Sequence, residues 1–528
     1  MRARHRTAPA RTAHPRAASS GRRPFRIAAG HRPHAHRSAI GRNRRLPALH
    51  TRTNRPLARA AVPQPQPQLP ARATGHCRPP AQPTSRTPCL PSGSCRSVGE
   101  VTSALLTDQY ELTMVDAALK DGTADRRCVF EVFTRRLPDG RRYGVVAGLG
   151  RFLTALTEFR FGDDEIGFLR DRGVIDACTA DWLADYRFTG DIRAYREGEI
   201  FFPNSPVLQI EGTFAESVVL ETLALSIFNA DSAIASAAAR MVSAADRRPL
   251  AEMGSRRTGE WNAVAAARAA YIAGFGATSN LEAGRTWGIP TMGTAAHAFT
   301  LLHDSEEAAF RSQLDALGNG TTLLVDTYDI EAAVETAVRL TDGKLGAVRI
   351  DSGDLPSVVA AVRAQLDRLG ATGTKITVTN DLDEYTIAAL RAAPVDSYGV
   401  GTSVVSGSGH PAAGMVFKLV AHKEDGGDWV PVAKKSADKA SLGGRKEAGR
   451  RLRNGVATAE VVLTTGQVGP DERPLLVPVV TGGEVDPAFL GAHGVEAARA
   501  HHKRAKAELP VDASRIGRGD PAIPTLVI

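Results

Sequence analysis

A parallel α/β barrel flanked on both sides by β-rich segments is the fold class that this sequence predicts. Three observations carry that expectation. Between Pro249 and Thr402, short apolar strands alternate with helix-prone stretches, in PLAEMG, FGATS, GIPTMG, TTLLVDT, LGAVRID, KITVTN and DSYGVG. Polar residues gather just past the carboxyl end of nearly every one of these strands, where barrels build their sites; this favours a barrel over a doubly wound sheet. Before and after that run the alternation stops, and strands follow one another with little helix between them.

In chain order, residues 1–99 come first. They hold 20 Arg, no Lys and no Asp or Glu, with PQPQPQ and PSGSC near the end. Such a composition buries too little apolar surface to order itself, so a disordered extension, or an over-extended start of the reading frame, is the preferred reading. An organelle transit peptide and a nucleic-acid-binding arm are the alternatives, and the many prolines oppose the amphipathic helix of the former.

Structure is expected from Val101. ALLTDQYELTMVDAALKDG places Leu112, Val115 and Leu119 on one helical face and stops at Gly122. RCVFEVF alternates as a strand, YGVVAGL is a second strand, and Tyr195–Glu211 reads as two strands around a Pro-Asn-Ser-Pro turn. Glu216–Ala245 is an alanine-rich apolar helix, expected as one buried connector and too interrupted by charge to span a bilayer. After Thr402, MVFKLVAH, DWVPVAKK, AEVVLTT and PLLVPVV read as strands, and a helix follows over Ala497–Glu508. Lys434–Lys446 is a glycine-rich basic loop, either solvated or facing a phosphate.

The formal charge of +9 resembles a nucleic-acid signal, but its distribution argues otherwise. Outside the leader, 46 of the 66 basic residues face all 57 acidic ones, a net of −11, so the body of the chain is acidic. No uninterrupted apolar run reaches the roughly 18 residues of a membrane span, and no signal-peptide core follows the start. Of the cysteines, Cys77, Cys89 and Cys95 lie in the leader and Cys128 and Cys178 in the body. Their spacing matches neither a metal cluster nor a disulfide framework, which fits a reducing cytoplasm.

The strand endings carry the chemistry. Gly288–Phe299 reads as a strand, a Gly293-Thr294 turn, and a helix with His297 in its first turn, over a positive helix terminus suited to phosphate. A lone histidine among apolar residues is ordinarily a hydrogen-bonded core residue; the same strand–turn–polar pattern recurring along the chain weighs against that here. Arg256 and Arg257 form a possible bidentate clamp for a carboxylate or phosphate, or a plain pair of surface arginines. Asp326 and Asp329, and Asp351 and Asp354, sit on strand-to-helix turns, where they hold ribose hydroxyls, Mg²⁺ or a histidine ring, or merely cap helices. Asn380-Asp381 and Gly399–Thr402 are turns whose backbone N–H groups can cradle a phosphate. Together these endings point to an enzyme acting on a phosphorylated, sugar-bearing substrate.

TDQYELTM, FEVFTRRLP, GSRRTGEWNA, TSNLEAG, GTAAHAF, LLVDTYD, GAVRIDSGDL and VTNDLDEY, in that order, resemble nicotinate phosphoribosyltransferase, most closely the actinobacterial type. The resemblance runs from about Val101 to the C-terminus. It implies a type II phosphoribosyltransferase fold: an irregular α/β barrel plus an α+β domain built from the N- and C-terminal segments. The implied organisation is a basic extension over 1–99, an N-terminal α+β domain and connecting helix over 100–245, the catalytic barrel over 246–405, and a β-rich segment over 406–528 returning to the N-terminal domain. The implied reaction is an ATP-coupled condensation of nicotinate with phosphoribosyl pyrophosphate, giving nicotinate mononucleotide and pyrophosphate at the entry to NAD salvage, in a cytoplasmic homodimer.

The resemblance also implies roles. His297 matches the histidine that ATP phosphorylates, and Asp326 the acid that orients and charges it. Arg256 matches the partner of the nicotinate carboxylate. Arg349 and Asp351 match contacts to the phosphoribosyl portion, Asp351 through ribose hydroxyls or Mg²⁺. Thr294, Gly353, Asn380, Gly401 and Thr402 fall on the turns that would hold substrate, the last three near the 5′-phosphate. Tyr110 matches an aromatic that stacks on the pyridine ring from the neighbouring subunit.

The nearest competitor is a nicotinamide phosphoribosyltransferase, in which an acid occupies the position of Asn280. A neutral Asn280 near Arg256 favours a carboxylate-bearing base, since an acid there would repel it. Quinolinate phosphoribosyltransferase would need more basic residues and lacks the ATP-linked histidine. A scaffold of another class, a degraded barrel whose leader binds nucleic acid, is opposed by the intact histidine and RIDSGD motif.

Overall fold

The chain's two flanks interleave in a single sheet. In the seven-stranded sheet the strand order is 429–431, 415–423, 127–134, 208–213, 191–195, 476–481 and 484–485. Strand Arg127–Thr134 pairs antiparallel with Met415–Lys423 on one side and Leu208–Thr213 on the other. Its RCVFEVFT sequence is buried almost throughout, as a central strand covered on both faces requires. Phe130 stacks on Phe417 across that pairing, with centroids 4.9 Å apart. The α+β domain is therefore built from residues on either side of the barrel. A second, four-stranded sheet runs 472–474, 447–453, 456–463 and 525–527. The computed structural model describes residues 103–424, 426–434 and 441–528; the basic leader and the middle of the Lys434–Lys446 loop lie outside them.

The barrel is an arc of six parallel strands in the order 277–278, 250–252, 397–400, 375–378, 347–350 and 322–324. A single parallel bridge from Thr278 to Thr291 extends it by one residue. The segment GIPTMG is thus a bridge and not the seventh strand that its apolar run predicts. Pro290 has no N–H to give a ladder, and its carbonyl alone accepts from Thr278. The arc ends at 322–324 on the other side, which makes the barrel irregular.

The predicted connector helix is two helices, Phe214–Val218 and Glu221–Ala245, broken at Val219-Leu220. The second one starts against the first ordered helix, Gln109–Asp121: the carboxylate of Glu111 accepts from Thr222 N–H at 3.0 Å and from its hydroxyl, occupying donors that a helix start leaves unpaired. Phe214–Ala245 is long and apolar enough, by length and composition alone, to cross a membrane, but 67% of its most apolar window is buried inside the protein. Its alanines let neighbours approach closely, and the Ser232 and Ser236 hydroxyls accept from Ala147 and Val145 N–H, fixing the short strand Gly144–Val145. Buried ion pairs reinforce this region. Arg268 and Glu197, both essentially inaccessible, form a two-pronged pair at 2.5 and 2.6 Å.

Candidate active site

Apart from Tyr110, every residue predicted for the site lies on or just past the carboxyl end of a barrel strand or of the Thr291 bridge. His297 is the first residue of a short helix, His297–Leu302. Its Nδ1 lies 3.1 Å from the Thr327 hydroxyl. Its Nε2 faces two carboxylates, 3.8 Å from Oδ1 of Asp326 and 4.0 Å from Oδ2 of Asp351.

Those two acids are held by different means. Oδ2 of Asp326 accepts from Asp351 N–H at 2.8 Å and from the Ser352 hydroxyl at 2.7 Å, while its buried Oδ1 has no hydrogen-bond partner. Oδ1 of Asp351 accepts from the Thr379 hydroxyl, leaving Oδ2 turned toward the histidine. Neither acid is a helix cap. That role falls to Asp329, which accepts from Ala332 N–H, and to Asp383, which accepts from Tyr385 and Thr386 N–H.

Beside the histidine lies a cleft of about 210 Å³. Arg256, Arg349, Asp351, Asn380, Gly401 and Thr402 all line it, together with Arg257, Thr379 and Asp381. Arg349 donates to the Thr294 hydroxyl, and its buried Nε has no partner. Burial pushes the Arg349 guanidinium below its ordinary value against the pull of Asp351 and Asp326, with Arg256 adding to the push. Asn380 and Asp381 hold positive φ, 105° and 30°, a strained backbone for side-chain-bearing residues and one that recurs at ligand-holding turns. Gly353 turns at φ 87°, and a Cβ there would come within 3.1 Å of Val358.

Asn280 is not among the cleft-lining residues. Its Oδ1 caps helix Leu281–Trp287 by accepting from Ala283 N–H, and its Nδ2 donates to Ser255, next to Arg256. Behind that turn stands Glu252, fully buried, which accepts from the Thr278 hydroxyl at 2.6 Å and from Gly254 N–H. Burial raises its pKa. Tyr110 lies elsewhere, on helix Gln109–Asp121, 45% exposed; burial and the nearby Glu221 raise its pKa.

Thr327, Thr379, Ser352 and Glu252 were not singled out from the sequence. Threonines and serines are too common at strand ends to stand out, and only the acids one residue before Thr327 and Ser352 drew attention to those turns. Among the described residues no three His, Cys, Asp or Glu side chains cluster as a metal cage.

A barrel whose carboxyl face sets a carboxylate-flanked histidine beside a cleft lined by three arginines defines an enzyme for anionic, phosphorylated substrates. Residues 105–229 match the family model described as the nicotinate phosphoribosyltransferase (NAPRTase) N-terminal domain. The chain is 56% identical over 438 residues to the nicotinate phosphoribosyltransferase pncB1 of Mycobacterium tuberculosis, covering 81% of this chain and 95% of that protein. It is 36% identical over 359 residues to the nicotinate phosphoribosyltransferase of Bacillus subtilis, covering 66% of this chain and 73% of that one. The crystal structure of human nicotinic acid phosphoribosyltransferase superposes with a TM-score of 0.67 at 25% identity, over 80% of this chain and 97% of that one. The chain belongs to the nicotinate phosphoribosyltransferase family, and its fold is the type II α/β barrel with an α+β domain from both chain ends.

Proposed function

We propose that this chain transfers the phosphoribosyl group of phosphoribosyl pyrophosphate to nicotinate, releasing pyrophosphate and nicotinate mononucleotide in NAD salvage, with ATP consumed through His297. The observation that carries the reading is the grouping of His297, Asp326 and Asp351 beside the arginine-lined cleft, on a chain whose relatives bear that enzyme's name.

Arg256 pairs with the nicotinate carboxylate and so aims the pyridine nitrogen at the anomeric carbon. As that nitrogen bonds, the anomeric carbon–oxygen bond breaks and pyrophosphate leaves with the electron pair. The ribosyl centre passes through an oxocarbenium-like state, so the residues' tasks are positioning and charge. Arg349, braced by Thr294, and Arg257 face the phosphates, while Asp351 faces the ribose hydroxyls. Gly353, Asn380, Gly401 and Thr402 supply turns close enough for backbone contact with the 5′-phosphate. Mg²⁺ suits this donor set: it needs one or two carboxylates plus substrate phosphates and no protein cage, and Asp351 is the carboxylate positioned to contribute. When bound, the ion would neutralise charge on the leaving pyrophosphate.

ATP phosphorylates His297, and Asp326 holds the resulting imidazolium charge. The enzyme works as a cytoplasmic homodimer in which Tyr110 of one copy closes the site of the other. An apolar rim on the barrel mouth supports this: Trp261, Leu281, Leu301, Leu302 and Tyr328 are 62–78% exposed in the single chain.

The nicotinamide alternative is disfavoured by the neutral Asn280, whose side chain is engaged beside the arginine turn. The test is a side-by-side assay of labelled nicotinate and labelled nicotinamide with phosphoribosyl pyrophosphate, Mg²⁺ and ATP. Nicotinate is expected to be converted to its mononucleotide, with nicotinamide about 100-fold poorer in kcat/KM. Preferential consumption of nicotinamide would overturn the assignment.

A further inference from the structure

We infer that Glu252 is a positioning residue for the base: through Gly254 and Thr278 it holds the turn Ser255–Arg257 and so aims Arg256; the inference rests on the reading of Arg256 as the partner of the nicotinate carboxylate. Glu252 ends the strand Leu250–Glu252, and its side chain is fully buried. Each carboxylate oxygen takes a different donor. Oε2 accepts from the Thr278 hydroxyl at 2.6 Å, and Oε1 accepts from Gly254 N–H. These two donors and burial are what act on its charge, with no cation among them. Burying a carboxylate without a cation is costly, and what it supplies here is a pair of fixed acceptors.

Hydrogen bonds lead from those acceptors to the arginine turn by two routes. Along the first, Thr278 is the register partner of Glu252 in the parallel sheet. Its hydroxyl, with the proton given to Glu252, accepts Asn280 N–H at 3.0 Å. The Asn280 oxygen caps helix Leu281–Trp287, and its Nδ2 donates to the Ser255 hydroxyl at 3.0 Å. Along the second, Gly254 gives its N–H to Glu252, and its carbonyl accepts from Arg257 N–H at 2.8 Å. The turn is also packed tightly: a Cβ on Gly254 would run into Val405 and come within 2.9 Å of the Gly401 carbonyl.

The chemistry calls for a carboxylate at this position. Both partners are donors, and one is a backbone N–H that cannot reverse. A glutamine can keep Gly254 only by turning its NH2 group onto the Thr278 hydroxyl, whose own proton then loses its acceptor. The turn loosens, and a displacement of Arg256 on the order of 1 Å is enough to spoil a directed carboxylate pair.

The experiment is a double-mutant cycle on the full chain: steady-state kinetics of wild type, Glu252→Gln, Arg256→Ala and the double variant. Glu252→Gln is expected to raise KM for nicotinate about ten-fold, with kcat and KM for phosphoribosyl pyrophosphate within about three-fold of wild type. In the Arg256→Ala background the same change is expected to move the nicotinate KM by less than about two-fold, because the group it positions is gone. A nicotinate KM at the wild-type value in Glu252→Gln, or losses that multiply in the double variant, would overturn the inference. Thr278→Val, which cuts the first route, is expected to reproduce the KM effect, and Thr278→Ser to bring it back within about three-fold of wild type. Serine keeps the hydroxyl but loses the methyl packing, so its rescue separates positioning from a merely structural role, and this pair decides the question if Glu252→Gln does not fold; no rescue by serine would contradict the inference. If Arg256→Ala alone left the nicotinate KM unchanged, the parent reading would fall and this inference with it, an outcome distinct from losses that multiply.

Discussion

Nε2 of His297 stands 3.8 Å from Oδ1 of Asp326, an oxygen that is buried and has no hydrogen-bond partner of its own. A buried carboxylate oxygen without a donor is costly, and the imidazole is the nearest side chain that faces it. The other Asp326 oxygen is held by two donors from the RIDSGD turn, so the acid cannot easily swing away. On the proposed reading of His297, this pairing would hold the positive charge that a phosphoryl group brings to the ring.

Asp326→Asn removes that charge while keeping the shape. Phosphoryl incorporation from ATP should fall on the order of 100-fold. Timed labelling with [γ-³²P]ATP checks it, and a rate within two- to three-fold of wild type would separate Asp326 from the chemistry.

Arg256 stands on the turn Ser255–Arg257 and lines the cleft with Arg349. Loss of a charge-assisted carboxylate pair costs about 2–3 kcal/mol, so Arg256→Ala should lower kcat/KM for nicotinate about 100-fold. Steady-state kinetics with both bases is the check: the loss for nicotinamide, which has no carboxylate, should be much smaller.

Arg268 and Glu197 form a buried pair near Asp231 of the helix Glu221–Ala245. Burial pushes Glu197 up, and the Arg268 guanidinium more than reverses it, leaving the carboxyl below its usual value. Arg268→Met would strand that carboxylate, at a cost of about 3–5 kcal/mol. Denaturant titration should show it as a lower midpoint, and replacing Glu197 as well by leucine should recover a large part of the loss.

How far could the sequence be read? Parallel strands buried on both faces are continuous apolar runs, so TTLLVDT, LGAVRID and KITVTN were legible, and the polar residues after them marked the catalytic face. GIPTMG reads as a strand only when its apolar run is weighed above Pro290, whose missing N–H leaves a single bridge at Thr291. The strand Glu447–Arg453 was missed for the opposite reason. EAGRRLR looks solvated, yet Arg450 is fully buried on Glu460 of the neighbouring strand at 2.9 Å, and a cross-strand partner cannot be seen in one strand's composition. The acids of the site are readable as a set, and the family resemblance marks Asp326 as the histidine's partner, but residue pattern alone does not divide caps from partners. Asp326 and Asp329 are three residues apart on one turn, and only the backbone direction decides which one meets Ala332 N–H.

His502 titrates against the fold. Burial, with Lys506 adding to it, lowers its pKa to about 4, while its Nδ1 contacts the Gly198 carbonyl. The unfolded chain takes up this proton below about pH 6.5 and the folded chain only near pH 4. Its contribution is therefore complete above pH 6.5 and is lost as pH falls toward 4, by up to about 3 kcal/mol. Denaturation midpoints of wild type and His502→Asn, compared between pH 7 and 4.5, should converge at the acid end; parallel curves would contradict the assignment.

The most direct test of the central claim measures nicotinate mononucleotide formed from labelled nicotinate, phosphoribosyl pyrophosphate and Mg²⁺, with and without ATP, in the wild type and in His297→Ala. The account predicts a product yield that ATP raises in the wild type and does not raise in the variant. Equal stimulation by ATP in both proteins would show that His297 is not where ATP enters the reaction.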